Sequence, residues 1–375
     1  MLKKCNGITL VTLVITIIIL LILAGISISA LTNTGIFGKA KEAQKTSENA
    51  EKEQNKTLDN YEKELDQYLP AFTGKTVEEA IKHGRVLNVE NNTELYDVYG
   101  NKIVVPAGFK VTNNAKTVDK GIVIEDATDA ATKGSQFVWV PVGNIKKDDG
   151  TTVEINLDRY TFDEDGIAKA QNESVVDTYY SETEGKENTV AKSISDFKLS
   201  VTTNGGYYIG RYEARTIKPR SDKGDTLAQI TEKGTDKVYN FVAQIQAASQ
   251  AKNMYNSSNF TSDLMNSYAW DTAILFLQNC GTNKKYSRQK GLSASALQTG
   301  TNTLTEINKI DKQCNVYDMA GNLREWTTET SDVSANPCVV RGGNYCDNDF
   351  YTGYRDYGSI SVSNINIGFR PILYL

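Results

Sequence analysis

The 24 residues from Ile8 to Leu31 carry no charged side chain and are mostly aliphatic. A helix of about 20 apolar residues is long enough to cross the hydrocarbon core of a bilayer. A globular helix of this length would normally carry a polar face. We therefore predict a transmembrane helix over residues 8–31. Residues 1–7 form a short leader with two lysines, which favours a cytoplasmic start and an extracytoplasmic body.

The position of Gly7 distinguishes this segment from a secretory signal peptide, whose cleavage site follows its apolar core. Here the only obvious cleavage site, Gly7, precedes the apolar run. The order of Lys3-Lys4, Gly7 and the run that begins at Ile8 resembles the N-terminus of type IV prepilins. The resemblance implies cleavage between Gly7 and Ile8 by a prepilin peptidase, with pilus or secretion-system subunits as assembly partners.

One residue departs from the prepilin pattern. Pilins usually carry a glutamate at the fifth mature position, which takes part in assembly, and Thr12 stands there in this chain. The sequence therefore supports membrane anchoring, in the cell membrane with the C-terminal part outside, more directly than it supports a place in a filament.

Between the apolar run and Pro70 the chain is charged and amphipathic. Apolar residues recur at spacings of three and four over residues 32–69, which predicts a stalk helix that ends at Pro70. A partly disordered linker is the alternative for residues 44–57, which carry little apolar surface. Short β-like runs follow, and we interpret residues 70–136 as a β-rich linker region.

Composition excludes several classes of function. The formal net charge is −5, which gives no support to a nucleic-acid partner. The single histidine, His83, excludes Ser-His-Asp, Cys-His and multi-histidine zinc chemistry. Of the five cysteines, Cys5 falls in the leader. The other four can form two disulfides in any of three pairings.

The C-terminal third carries three ordered motifs: Val316–Trp326 (VYDMAGNLREW), Val340–Asn344 (VRGGN) and Ile367–Pro371 (IGFRP). Together with Phe137–Val142 and Tyr207–Glu213 they resemble the formylglycine-generating enzyme and sulfatase-modifying-factor family. The resemblance implies an α+β protein whose N-terminal transmembrane and stalk helix is followed by a loop-rich, C-type-lectin-like domain. It covers residues 137–375, with the polar residues 144–200 as an insertion.

The enzymes of this family oxidise a cysteine of their substrate with copper held by two cysteines, about five positions apart, after the RGG motif. Cys346 stands near the first position, whereas Tyr351 occupies the second. A soft Cu(I) ion needs two thiolates. We therefore expect no copper and no enzymatic activity, and a disulfide, with Cys338 as the candidate partner, or a free thiol at Cys346.

The segment between the RGG and GFR motifs is rich in Asn, Asp, Tyr and Ser, a composition typical of antibody binding loops. It resembles the variable region of ligand-binding proteins that retroelements diversify. We predict that it binds an external protein or glycan, and an ordinary polar loop is the alternative. The predicted binding residues are Asn344, Tyr345, Asp347, Asn348, Tyr351, Tyr354, Asp356, Tyr357, Ser359, Ser361, Asn364 and Asn366.

Four residues of the first motif match positions that ligate calcium in the family. The resemblance implies a structural calcium ion held by the side chains of Asp318 and Glu325 and by the backbone carbonyls of Gly321 and Leu323. Such oxygen donors suit a hard cation. The alternative is a turn in which Glu325 pairs with Arg324 or Arg341 instead.

These interpretations lead to one expected function and two alternatives. We expect a surface-displayed binding protein, similar to an adhesin or a minor pilin. The alternatives are a structural pilin or pseudopilin subunit and, less in keeping with the missing second cysteine, a copper-dependent oxidase.

Overall fold

The computed structural model of the chain describes residues 36–68, 71–127, 131–171, 179–180, 187–188, 194–290, 311–331, 335–345 and 349–375, except positions 219, 226, 228, 229 and 235. The chain divides into two compact units, Met1–Pro70 and Ala71–Leu375. The predicted leader, cleavage site and transmembrane span lie outside the described residues. In the described part, no helix is both long and apolar enough to cross a membrane.

The described part of the first unit is a single helix, α1 (Ile36–Tyr68). Its side chains from Lys39 to Gln54 are exposed. One of the contacts along its surface joins Gln44 Nε2 to Glu48 Oε1, four residues further on, at 2.9 Å. The charged sequence therefore forms the helix that its periodicity predicts.

The second unit has four α-helices in its described part: α2 (Val77–His83), α3 (Ile194–Asn204), α4 (Gln244–Lys252) and α5 (Ser267–Cys280). Helix α2 begins at a capping box formed by Thr76 and Glu79. The sequence favours a helix from Asp263, but α5 begins only at Ser267. The side chain of Asn266 caps α5 by accepting a hydrogen bond from the backbone of Ala269 at 2.8 Å.

Twenty-two short strands alternate with these helices in the described residues. In chain order they are β1 (Thr93–Tyr96), β2 (Lys102–Val105), β3 (Phe109–Val111), β4 (Val123–Asp126), β5 (Gln136–Pro141), β6 (Gly143–Lys146), β7 (Thr152–Ile155), β8 (Tyr160–Phe162), β9 (Ala168–Ala170), β10 (Tyr179–Tyr180), β11 (Glu187–Asn188), β12 (Gly206–Gly210), β13 (Arg215–Thr216), β14 (Lys237–Val238), β15 (Thr261–Leu264), β16 (Lys312–Gln313), β17 (Val316–Tyr317), β18 (Arg324–Thr330), β19 (Cys338–Arg341), β20 (Arg355–Gly358), β21 (Ile367–Phe369) and β22 (Pro371–Tyr374).

The main sheet has six strands in the order β15-β22-β12-β5-β4-β3. Its centre is the antiparallel pair β12 and β5, in which Tyr208 lies opposite Trp139. Both rings are buried, and their centroids are 4.9 Å apart. Strands β3 and β4 come from residues that we interpreted as a linker, so that region contributes to the same sheet and core.

A second sheet, of four strands in the order β20-β19-β18-β21, contains the C-terminal motifs. Strand β19 ends at Arg341 of the RGG motif and pairs antiparallel with both β18 and β20. Strand β21 carries Gly368 and Phe369 of the GFR motif and runs parallel to β18. The motifs that are separated in sequence therefore lie on neighbouring strands.

The segment 144–200, expected as an insertion, contains three antiparallel strand pairs in its described part, and the third of them joins β10 to β11. Strand β6 pairs with β7, and β8 pairs with β9. Asp158 and Tyr160 bond through their backbone N–H groups to side chains of α5, Thr272 and Asp271. This part of the segment is therefore attached to the core through α5.

Candidate functional site

The loop before β20, together with β20 itself, holds the tyrosines that the sequence predicts to bind a ligand. Tyr357 is 48% exposed on β20. The rings of Tyr351 and Tyr354 lie 5.3 Å apart in an edge-to-face arrangement, and Phe350 lies 5.0 Å from Tyr354. We call Phe350, Tyr351, Tyr354, Asp356 and Tyr357 the tyrosine surface.

Two charged residues fix the geometry of this surface. Arg324 forms an ion pair with Asp356, and its guanidinium lies 4.6 Å from the centre of the Phe350 ring. Burial and the charge of Asp356 raise the pKa of Tyr354. Its hydroxyl therefore stays protonated at neutral pH and can donate or accept a hydrogen bond.

Two predicted binding residues are buried and cannot reach a ligand in this conformation. Asn344 has no exposed surface, and Tyr345 is 7% exposed. The Tyr345 side chain belongs to a small apolar cluster with Val238 and Leu323. The expectation that both side chains lie at the surface is therefore wrong, because they follow β19 directly into the core.

The other predicted binding residues lie in the loop after β20. Ser361 and Asn364 are exposed, whereas Ser359 and Asn366 are partly buried. The backbone carbonyls of Asn364 and Asn366 accept hydrogen bonds from the N–H groups of Phe241 and Arg324. This loop is thus held at its C-terminal end. Asp347 and Asn348 lie outside the described residues.

Beneath the tyrosine surface lies a buried arrangement of charges that we call the arginine network. Arg341 bonds to Asp271 at 2.5 Å and to Glu329 at 3.0 Å. Arg355 pairs with the same two carboxylates, and Arg159 reaches Glu329 at 2.6 Å. The network joins α5, β18, β19, β20 and the chain just before β8, so it fixes the strand that carries Tyr357.

The charges of the arginine network are well compensated. Burial alone would raise the pKa of Glu329, but the guanidinium groups of Arg341, Arg355 and Arg159 outweigh it and lower the pKa to about 2. Only Arg341 belongs to a motif that the sequence singles out. The others come from distant segments: Arg159 and Glu329 are 170 positions apart, and no local spacing indicates their contact.

The predicted calcium ligands Asp318, Glu325 and Leu323 differ in the hydrogen bonds that they form. Asp318 is completely buried, has a backbone φ of +60°, and neither of its carboxylate oxygens has a hydrogen-bond partner in the described part of the chain. Glu325 is bound by Arg370, from Nη2 at 2.6 Å and from Nε at 3.1 Å, rather than by Arg324 or Arg341. The N–H of Leu323 donates to Glu213 at 2.7 Å.

Asp318 belongs to a second buried group of charges, which we call the carboxylate cluster. Its members interact electrostatically with Arg370, and three of them also with Arg215, the two cations of the cluster. Burial and Glu325 raise the pKa of Glu213 to about 8, and burial, Glu213 and Asp311 raise that of Asp318 well above its usual range. The carboxyl groups of the cluster are Glu213, Glu232, Asp311, Asp318 and Glu325.

These observations test whether the residues fit a calcium ion. The Asp318 carboxylate, which has no hydrogen-bond partner among the described residues, and the excess of buried acid suit a cation. Glu325 is already bound to Arg370, and no group of three or more Asp, Glu, His or Cys side chains in the described residues is arranged to hold a metal. A bound ion would therefore rely on Asp318 together with backbone carbonyls such as those of Gly321 and Leu323.

Cys280, Cys314 and Cys338 form no disulfide with one another or with any other described residue. Burial raises the pKa of the Cys338 thiol, and likewise that of Cys280, to about 12. Such thiols are poor nucleophiles at neutral pH. Cys346, the candidate copper ligand and disulfide partner, lies outside the described residues, as does Cys5.

The structure contains a cavity of about 470 Å³, and none of its described lining residues is a predicted binding residue. Its lining includes Phe109 of β3, and Tyr255 and Phe260 of the loop before β15. Strands β3 and β15 are the two edges of the main sheet, yet Phe109 and Phe260 lie only 5.6 Å apart. The cavity therefore lies between β3 and the loop before β15.

Residues 124–374 match the sulfatase-modifying factor enzyme 1-like domain. This chain belongs to the FGE-sulfatase family. Its domain has a mixed helix-and-sheet, C-type-lectin-like fold, as the C-terminal motifs predict. The family match begins within β4, ahead of the expected start at residue 137.

Comparison with solved structures gives remote similarities. Treponema denticola variable protein 1 is 13% identical with a TM-score of 0.34, over 66% of this chain and 98% of that one. The Major Tropism Determinant P3c variant is 12% identical with a TM-score of 0.29, over 81% and 98%. CarF is 17% identical with a TM-score of 0.29, over 36% and 67%. These values are too low to support a function, and no curated protein matches the chain.

Proposed function

We propose that this chain is a surface-displayed binding protein that recognises an external ligand through the tyrosine surface. The observation that carries this proposal is the support of that surface by the arginine network. Tyr357 lies on β20, whose Arg355 is bound to both buried carboxylates. Rigid, partly exposed tyrosines give contact area at low entropic cost, which is what a binding site requires.

In this proposal the N-terminal segment attaches the binding domain to the cell membrane. The uncharged run of residues 8–31 anchors the chain in the cell membrane, and cleavage after Gly7 leaves the anchor in place. Helix α1 then acts as a stalk. The external ligand is a protein or a glycan outside the cell.

A structural pilin subunit is the competing function. The prepilin-like order of leader and apolar run supports it, whereas Thr12 in place of the assembly glutamate argues against it. Purified filaments that contain the chain as a stoichiometric component would favour the pilin over a display protein.

We do not propose cysteine oxidation, although the chain belongs to a family named after such a factor. Tyr351 stands where the second copper-binding cysteine would be, and its ring packs against Tyr354. A phenol does not replace a thiolate as a ligand for Cu(I). Copper-dependent conversion of a peptide cysteine by the purified chain would overturn this assignment.

A structural calcium ion forms a second proposal. It rests on the buried Asp318 carboxylate, whose oxygens lack a hydrogen-bond partner in the described residues. With Gly321 and Leu323 carbonyls and Glu325 nearby in sequence, the ion would compensate the excess negative charge and fix the turn before β18.

The proposed binding function is tested by Tyr357→Ala in the full chain. A panel of purified extracellular proteins and glycans is screened for ligands of the wild type. We expect Tyr357→Ala to weaken binding by about 2 kcal/mol, roughly 30-fold, because an exposed tyrosine at the centre of an interface is a typical hot spot.

Tyr96→Ala is the matched control, since Tyr96 is also an exposed strand tyrosine, 39% accessible, on β1. It should leave affinity unchanged. A ligand that binds Tyr357→Ala as tightly as the wild type would contradict the proposed site.

A further inference from the structure

Arg288 lies against the tyrosine surface although no sequence motif points to it. It ends a 3₁₀ helix, Tyr286–Arg288, and its guanidinium lies 3.9 Å from the centre of the Tyr351 ring. The two backbones are tied together: Thr352 N–H donates to Gln289 at 3.0 Å, and Gly353 N–H donates to Ser287 at 2.8 Å. The stack is therefore held by the fold.

The guanidinium of Arg288 has unused hydrogen-bonding capacity. Stacking on a ring occupies the face of the group and leaves its N–H donors, which lie in its plane, for acceptors. Within the described residues no carboxylate or carbonyl accepts a hydrogen bond from the Arg288 side chain. Arg324, on the same surface, differs because Asp356 neutralises it.

A second cation stands beside the first. Lys290 is exposed and forms an antiparallel bridge with Tyr351, and among the described residues no carboxylate pairs with its amine. Of the acids on this side, Asp356 is bound to Arg324, and Asp349 is exposed at the start of the loop. The edge of the tyrosine surface nearest Tyr351 thus carries two positive charges that form no ion pair with a carboxylate of the described residues.

We infer that the ligand recognised at the tyrosine surface is an acidic protein segment, whose aspartate or glutamate carboxylate binds Arg288. The inference rests on the proposed function and names the chemistry of its partner. A guanidinium donates two parallel hydrogen bonds to a carboxylate, and a stacked guanidinium is already oriented for them.

The rings of the tyrosine surface favour a protein over a polysaccharide. Phe350 and Tyr354 are inclined by 55°, and Tyr351 and Tyr354 by 76°. Rings at such angles form clefts for side chains rather than a flat platform for a sugar ring. Tyrosine and arginine are also the residues most enriched among hot spots of protein interfaces.

The test measures binding of three probes to the full chain: a peptide of alternating glutamate and leucine, the same peptide with glutamine for glutamate, and polygalacturonate. We expect the glutamate peptide to bind, with an affinity that falls as salt is added. Arg288→Gln should weaken it about tenfold or more, since it removes a charge-assisted hydrogen-bond pair. Arg288→Lys keeps the positive charge but loses the paired, coplanar N–H donors. Its affinity for the glutamate peptide should therefore lie between those of the wild type and Arg288→Gln.

Lys198→Gln is the matched control, because Lys198 also lies over a tyrosine, 3.6 Å from the ring of Tyr268, but outside the tyrosine surface. It should bind the glutamate peptide like the wild type. Equal binding of the glutamine peptide, or an affinity unchanged by Arg288→Gln, would overturn the inference. Tighter binding of polygalacturonate than of the peptide would overturn the protein partner.

The two proposals fail in different ways. If a ligand from the protein and glycan screen loses affinity in Tyr357→Ala but not in Arg288→Gln, the acidic partner is wrong and the binding surface stands. If the screened ligands bind both Tyr357→Ala and Arg288→Gln as tightly as the wild type, the surface itself is wrong.

Discussion

The arginine network, apart from the 17% exposed side chain of Arg355, and the carboxylate cluster are both buried groups of charges, yet they are built differently. The network sets two carboxylates against three guanidinium groups, and each carboxylate oxygen accepts at least one hydrogen bond. The cluster sets five carboxyl groups against two guanidinium groups. Both oxygens of its Asp318 are without a hydrogen-bond partner in the described residues.

The difference shows that neighbours, not burial, decide the state of a buried acid. Burial raises the pKa of Glu329 and of Glu213 alike. Three arginines reverse this for Glu329 and lower its pKa to about 2, whereas Glu325 adds to it for Glu213, whose pKa reaches about 8. Glu329 therefore stays ionised, while the cluster must take up protons or a cation.

The largest expected effect comes from Asp271→Asn. The substitution keeps the shape of the side chain but leaves Arg341 and Arg355 with one carboxylate between them. Removing one partner from a buried ion network costs about 3–5 kcal/mol. We expect that loss in the free energy of unfolding, measured by urea denaturation.

Asp165→Asn is the control, since its carboxylate pairs with Lys285 at 2.7 Å on the exposed surface. Such an exposed pair contributes little to stability, because water and salt screen its charges. If Asp271→Asn were no more destabilising than Asp165→Asn, the network would not be the support of the tyrosine surface.

A smaller effect is expected from acid. The pKa of Glu329 is lowered from 4.5 to about 2 on folding, so the unfolded chain binds more protons between these values. Stability from Glu329 is then fully present above pH 4.5 and is lost as the pH falls toward 2, by on the order of 2–3 kcal/mol. Urea midpoints measured along this range should fall less steeply for Glu329→Gln than for the wild type. Parallel curves would argue against the ionised network.

A structural feature can be predicted from this sequence when the residues that determine it are close together in the chain. The strand β5 follows from local pattern, and three motifs were enough to identify the fold of the domain. The buried position of Tyr345 was missed, because a tyrosine after Gly343 has the same local signature whether its ring faces solvent or core. Arg288 and Asp271 were missed as well, since their partners lie 63 or more positions away and no spacing reports them.

The smallest effect is expected from Asp318→Asn, which makes the same change as Asp271→Asn at an equally buried site. No arginine or lysine forms an ion pair with Asp318 in the described residues, so in chelator the free energy of unfolding should change by less than about 1 kcal/mol.

Calcium should affect the wild type and Asp318→Asn differently. At a hundred times its dissociation constant, an ion bound only to the folded state adds about 2.7 kcal/mol. The wild type should gain that stability in a melting experiment and Asp318→Asn should not. A wild type whose melting temperature ignores calcium would mean that protons alone compensate the carboxylate cluster, and the contrast with the arginine network would then be one of protonation and not of metal binding.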